Sequence, residues 1–123
     1  MICVDSYGWI ERLTNGPKAN RYNRIIDSVN PDRIVTPVVV VYEVYRKTRM
    51  MKGEQDALEA VALLTQTEMV DIDQTLSLEA ADFSLKHHLH FSDALVYATA
   101  RKYGVELYTS DVDLKGLIGV SFI

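Results

Sequence analysis

The sequence predicts an α/β domain with a five-stranded, mostly parallel sheet flanked by helices. Three observations lead there. Short runs rich in Val, Ile, Tyr and Thr recur between longer stretches whose apolar residues repeat every three or four positions. That alternation runs the length of the chain and favours parallel pairing through short, right-handed helical crossovers. Finally, 123 residues with 48% hydrophobic content are enough for one core and too few for two, so residues 1–123 form a single domain.

The elements follow in order. Met1 to Asp5 is a short apolar run closed by an acid, a buried first strand. Ser6 to Leu13 carries Trp9, Ile10 and Leu13 at helical spacing, and Asn15-Gly16-Pro17 breaks it. Lys18 to Val29 is an amphipathic helix, with Tyr22, Ile25, Ile26 and Val29 inward and Arg21 and Arg24 on the wet side. A turn at Asn30-Pro31-Asp32 leads to a second strand over Arg33 to Thr36. Val38 to Val41 has strand propensity, but Pro37 suits the first turn of a helix that Thr36 can cap, and the spacing predicts a helix to about Met51, closed by Gly53. Glu43 then lies mid-helix, one turn from both Val39 and Lys47.

Glu54 to Gln66 is a further helix, with Leu58, Val61, Ala62 and Leu64 as its apolar residues. Glu68 to Ile72 is the third strand. Gln74 to His88 is helical, with Leu78, Ala81 and Leu85 in register. The stretch from His90 to Leu114 organises the rest: Ser92 is a good N-cap, the pattern Ala94, Leu95, Ala98, Thr99 and Lys102 puts small and apolar groups on one face, and Gly104 supplies the left-handed stop. Val105 to Thr109 is the fourth strand and Gly119 to Ile123 the closing one.

Composition excludes several classes. The lone cysteine, Cys3, falls in a buried strand, so no disulfide framework exists and a reducing, cytoplasmic setting is expected. Asp5 interrupts any signal-peptide core, and Val38 to Val41, the longest apolar run, is far too short to span a bilayer. The net charge is −4, but it is unevenly spread. Residues 1–53 carry 9 Lys and Arg against 5 Asp and Glu, a balance of +4, and residues 54–123 carry 4 against 12, a balance of −8. This asymmetry points to one basic face and one acidic region, or to helix faces that segregate in sequence.

Four acids fall at the ends of predicted elements or on an apolar helix: Asp5, Glu43, Asp93 and Asp111, with Asp113 close behind. If the fourth strand is parallel and central, its carboxyl end faces the crevice where open α/β sheets bind ligands, and acids gathered there suit a hard divalent cation. The N-terminus of its helix is expected to favour the ionised form of Asp93. Ser6, Thr109 and Ser110 stand beside these acids and can donate hydrogen bonds to them. Taken alone, Asp93 reads as a cap and Asp111 as a turn residue. His87, His88 and His90 read as a solvated helix end rather than a zinc site, because adjacent histidines face different sides and no cysteine is near.

The motifs V-D-S at 4–6, V-Y-E-V at 42–45, S-D-A-L-V-Y-A-T-A at 92–100 and T-S-D-V-D-L at 109–114 occur in this order over the whole length. In this the chain resembles the PIN domain family, and within it the VapC-like toxin ribonucleases. It departs at Tyr7, where family members often carry a small polar residue. The resemblance implies a five-stranded parallel sheet with the first strand central and the fourth beside it. It also implies an endoribonuclease that leaves a 5′-phosphate and uses one or two Mg²⁺ or Mn²⁺ ions. The implied ligands are Asp5, Glu43, Asp93 and Asp111, with Asp113 sharing or taking the place of Asp111. A homodimer and an antitoxin that blocks the site are implied as partners. With the four ligands set aside, 13 acids face 13 bases, so the acidic balance does not exclude an RNA substrate. RNA is expected over the basic half, through Arg21, Arg24, Arg46 and Lys47, with Lys18, Arg49 and Lys52 nearby; residues three and four apart share a helix face.

Two alternatives remain in view, and a third is rejected. A PIN-fold RNA- or protein-binding module without catalysis would lack some of the acids. A PIN nuclease of RNA processing outside any toxin–antitoxin pair would keep them. A phospho-accepting receiver domain would need an acceptor aspartate ending the third strand and a lysine after the fifth, and Asp71 has the wrong surroundings.

Overall fold

A computed structural model describes all of residues 1–123. The strands are β1 (Ile2–Val4), β2 (Ile34–Pro37), β3 (Glu68–Val70), β4 (Glu106–Thr109) and β5 (Val120–Phe122). The helices are α1 (Ser6–Thr14), α2 (Ala19–Ile26), α3 (Val38–Lys52), α4 (Glu54–Thr65), α5 (Gln74–His87) and α6 (Phe91–Tyr103). A 3₁₀ turn at Pro31–Arg33 leads into β2. All five strands are parallel, in the order β3-β2-β1-β4-β5, with β1 central and β4 beside it, as expected. No helix is long and apolar enough to cross a membrane.

The core forms where β1, β2 and β4 meet the helices. Cys3, Val4, Val35, Val40, Val44, Leu64 and Leu107 are fully buried. From α6, every residue between Ala94 and Ala100 is buried, which explains why this stretch carries Ala and Thr where an exposed helix would carry charge. Gly104 ends α6 at φ 63°, a left-handed geometry that glycine adopts without a Cβ clash.

Several local expectations are corrected. Pro37 belongs to β2 rather than to the helix, and Thr36 is not a cap: its hydroxyl lies 2.7 Å from that of Thr67. The missing Pro37 N–H is tolerated because β1 pairing stops at Val35, with only Val70 of β3 alongside Pro37. Ser92 sits inside α6, and His90 occupies the cap position without a side-chain bond. The α2 helix stops at Ile26, well before Val29. In α4 the inward face is Ala57, Ala60 and Leu64, leaving Leu58 and Ala62 outside. In α5 it is Leu76 and Ala80, while Ala81 is exposed and Leu78 and Leu85 are 62% and 80% exposed. Both helices carry two apolar stripes, so periodicity alone does not say which one faces the sheet. Nor is the histidine cluster a purely solvated end. The His87 ring stacks on Phe83 at 6.1 Å and meets Tyr97 edge-on, while His88 takes the left-handed cap position at φ 58°.

Gly8 shows how tightly α1 and α2 meet. A Cβ there would overlap the Tyr22 ring and lie 2.8 Å from Val4 Cγ1. Tyr22 cannot retreat, because it is fully buried and its hydroxyl bonds Ser110 at 2.7 Å. Gly8→Ala gains about 1 kcal/mol of helix propensity but costs about 2–3 kcal/mol of overpacking. The expected outcome is a net loss of about 1–2 kcal/mol in urea unfolding, and an Ala variant as stable as the parent would show that the contact is slack.

Candidate metal centre

The acids reach one place because β1 and β4 are parallel neighbours. Val4 pairs with Tyr108, and the Asp5 N–H extends the ladder by donating to the Tyr108 carbonyl at 3.0 Å. Asp5 thus lies at the carboxyl edge, where it also caps α1 by accepting from the Ser6 N–H at 2.7 Å. Its other oxygen accepts from the Thr109 hydroxyl at 2.8 Å. Beyond β4 the chain turns back on itself: the Asp111 N–H donates to Thr109 Oγ1 at 3.0 Å, and the Asp113 N–H to Asp111 Oδ1 at 2.9 Å. Asp93 enters from the first turn of α6. Oxygens of Asp93, Asp111 and Asp113 lie within 4.8 Å of one another. Glu43, half-buried on α3, faces this group near Ser6 and Ser92.

The carboxyl groups disturb one another. Asp5 is 5% exposed, and burial raises its pKa; the Thr109 and Ser6 hydrogen bonds oppose the rise and the charge of Asp111 adds to it. Glu43 is also raised, first by burial and then by the charge of Asp5, while the Ser6 and Ser92 hydroxyls pull it down. Asp93 is pushed up to about 8, by burial first, then by a hydrogen bond to Asp111 and the charges of Asp111, Asp5 and Glu43. The helix N-terminus does favour ionised Asp93, but here burial and three like charges outweigh it.

No basic side chain relieves this crowding. The ion pairs of the molecule are Arg12–Asp27 at 2.9 Å and Arg49–Glu54 at 3.1 Å, and neither involves the cluster. Donors that are all carboxylate oxygen and unpaired with Lys or Arg, with Asp5, Glu43 and Asp93 driven toward protonation, fit a hard divalent cation.

The surrounding residues divide clearly. Arg46 and Lys47 line a cleft of about 400 Å³ with Glu43 and Ser6. Arg21 and Arg24 are exposed on α2, and Arg24 lines a separate hollow with Asn20, Asn23 and Asp27. Ser110 bonds Tyr22 and the Ile123 backbone oxygen rather than an acid. Ser92, which resembles a cap in the sequence, faces Glu43 instead, and its place next to Asp93 is the one sequence signal for this. Tyr22 is core, as its helical spacing implies, and nothing in the sequence ties its hydroxyl to Ser110.

A parallel α/β sheet with carboxylates gathered at its carboxyl edge places them in the crevice where domains of this class bind their ligands. The chain belongs to the PIN domain family, whose model matches residues 2–118. It is similar to a protein in a toxin–antitoxin complex from Klebsiella pneumoniae, with 21% identity and a TM-score of 0.81 over 98% of this chain and 96% of that one. It is similar too to VapC20 of Mycobacterium tuberculosis, described as a sarcin-ricin loop cleaving toxin, with 22% identity and a TM-score of 0.78 over 98% of both chains. A third likeness is to the DNA-bound VapBC of Salmonella typhimurium, with 14% identity and a TM-score of 0.75 over 100% and 98%. These likenesses show a shared fold. No curated protein matches the chain.

The raised carboxyls set a pH dependence. Asp93 releases its proton near 3.8 when unfolded but only at about 8 in the folded, cation-free protein. Between these values the folded state binds more protons, so stability falls as pH rises through the window. With chelator present, the melting temperature should be higher near about pH 5 than near about pH 8.5, and Asp93→Asn should shrink the difference. A melting temperature that climbs over this range would contradict the assigned crowding.

Proposed function

We propose that the protein is a divalent-metal-dependent endoribonuclease, and the toxin of a toxin–antitoxin pair. One observation carries the catalytic part: the convergence of Asp5, Glu43, Asp93, Asp111 and Asp113 without a compensating basic group. Asp5, Glu43, Asp93 and Asp111 would hold Mg²⁺ or Mn²⁺, one ion or two, with Asp113 beside Asp111 as a further oxygen donor. The bound cation supplies Lewis-acid charge for water activation and for the phosphoryl oxygens in phosphodiester hydrolysis.

The chain's own residues do the rest. Thr109 and the Ser6 N–H hold the Asp5 carboxylate in one orientation, and Thr109 also fixes the loop that presents Asp111. Arg46 and Lys47, sharing a cleft with Glu43, hold flanking RNA phosphates. Arg21 and Arg24 extend that track at most as distant charges. The full set of acids counts against a PIN-fold module that only binds. The antitoxin assignment draws on the toxin–antitoxin complexes among the structural relatives. A PIN nuclease of RNA processing is the reading to which an absent antitoxin would point.

Asp93→Asn should fold and lose RNA cleavage by about a hundredfold or more, beyond the loss typical of groups that merely orient a ligand. Mn²⁺ should raise the melting temperature of the wild type by mass action and raise that of the variant much less. Equal Mn²⁺ shifts in both proteins, or undiminished cleavage by the variant, would remove the metal assignment. Alanine at Arg46 and Lys47 together should weaken substrate binding with the metal shift intact.

We also propose that the protein is a homodimer, paired through the outer stripe of α5 and the start of α6. Leu78, Leu85 and Phe91 are 62%, 80% and 79% exposed there. Phe91 also lines a groove between these helices with Ile72, Ala81 and Leu95. Apolar surface of this kind suits an isologous contact. Sedimentation should show a dimer that Leu85→Lys dissociates; a wild type that remains monomeric at every concentration would refute it.

A further inference from the structure

Beside the acid cluster lies a second group of side chains that the catalytic reading leaves unused. Tyr7 sits two residues after Asp5 on α1 and is 42% exposed. Phe122, in β5, is the register partner of Thr109, the residue that holds Asp5. The Lys18 ammonium lies between the two rings, 5.6 Å from the centre of Tyr7 and 5.7 Å from that of Phe122. The Lys115 ammonium lies 4.8 Å from the centre of Phe122. The Ile123 backbone oxygen ties the group to the site, accepting from Lys18 Nζ at 2.9 Å and from Ser110 Oγ at 3.0 Å, one residue before Asp111.

We propose that Tyr7, Phe122, Lys18 and Lys115 form a platform for single-stranded RNA: an unpaired base next to the scissile phosphate stacks on the aromatic rings, and the two ammonium groups hold its phosphates. The proposal rests on the ribonuclease reading above and adds to it a subsite for the nucleotide beside the scissile bond.

The physical case has three parts. First, neither lysine is committed elsewhere. Neither takes part in the two ion pairs, and the single hydrogen bond of Lys18 leaves two of its three donors free. Cation–π attraction at such an exposed position is weak, about 0.5–1 kcal/mol, so a phosphate can recruit either group. Second, Tyr7 is not core like its neighbour. Tyr22 is fully buried, with its hydroxyl satisfied by Ser110, whereas much of Tyr7 faces solvent. Third, the position matches an extended strand. In the sheet, β5 and β2 lie on opposite sides of the β1–β4 pair, and β2 leads into α3 with Arg46 and Lys47. A nucleic acid crossing the acids thus meets cations on both sides, with Tyr7 and Phe122 on the β5 side and the exposed Tyr42 beside Arg46 and Lys47 on the other. Duplex RNA hides its base faces within the stack, so a stacking platform selects unpaired nucleotides.

The test uses the full-length chain with Asp93→Asn, so that bound RNA is not cut. The probe is a short single-stranded RNA pool carrying 2-aminopurine, whose fluorescence is quenched on stacking. Tyr7→Leu and Phe122→Leu should each weaken binding by about tenfold, within the range for one lost base–aromatic stack, and should relieve the quenching. Tyr7→Phe should bind and quench like the parent. Lys18→Ala and Lys115→Ala should each lower the slope of log affinity against log salt by about 0.7. Melting curves identify any Phe122 variant that fails to fold, and Tyr7→Leu, on the surface, then decides alone. Affinity and quenching unchanged in Tyr7→Leu would overturn the platform. Whether the wild type cleaves the same pool with Mn²⁺ is scored separately. Cleavage with unaffected Tyr7→Leu binding sinks only the platform, and no cleavage at all sinks the ribonuclease reading on which it rests.

Discussion

The buried carboxylate of Asp5 is the constraint on which the site depends. It sits at the end of the central strand, with one oxygen held by the Ser6 N–H and the other by the Thr109 hydroxyl. Each bond comes from a different element, so the side chain joins β1 to α1 and to β4 at one point. In a parallel pair the side chains alternate between faces, and a slip of one residue between β1 and β4 would turn Thr109 away. The same hydroxyl accepts from the Asp111 N–H, so the loop bearing Asp111 and Asp113 takes its position from the contact that orients Asp5.

Such an arrangement works against stability in the cation-free protein. Burying a carboxylate is costly unless it is paired, and here burial and like charge raise Asp5, Glu43 and Asp93 together. The cost is carried by the apolar interior around it. Val4, Val40, Val44 and Leu107 are fully buried, and α6 is buried along seven consecutive residues immediately after Asp93. The helix that brings an acid into the cluster is thus the one most firmly fixed in the core, which limits how far the acids can move apart. Electrostatic strain held by packing is the usual condition of a binding site, and a cation would relieve it.

The alternation of strands and helices and the helix count were legible in the sequence because each rests on a local signal, whereas the place of β1 at the centre with β4 beside it followed from the family resemblance. Asp5 ends a short apolar run, Gly104 marks a left-handed cap, and the parallel alternation sends Asp5 and Asp111 to the same edge. The faces of α4 and α5 were not legible. Leu58 and Leu78 compete with Ala57 and Leu76, and only the packing partner decides between small residues pressed on a neighbour and large ones left outside. Ser92 illustrates a different limit. A serine before a helical run resembles a cap, and only the three-dimensional approach of α3 to α6 reveals that it faces Glu43.

The charge division between the two sequence halves proves a poor guide to the molecular surface. Of the nine bases in residues 1–53, Arg12 and Arg49 are engaged in ion pairs, and Arg24 lies over a hollow that contains none of the clustered acids. Lys115, next to the aromatic ring of Phe122, comes from the acidic half. What matters for a polyanion is the local sequence of charge it meets, because screening limits each group to roughly 8–10 Å at physiological salt. Near the cluster that sequence is Arg46 and Lys47, then the five acids, then Lys18 and Lys115. Without a cation the middle of this path repels phosphate; with one bound it attracts. In either state the basic flanks would contribute to holding a bound strand, and a cation at the centre would add to them.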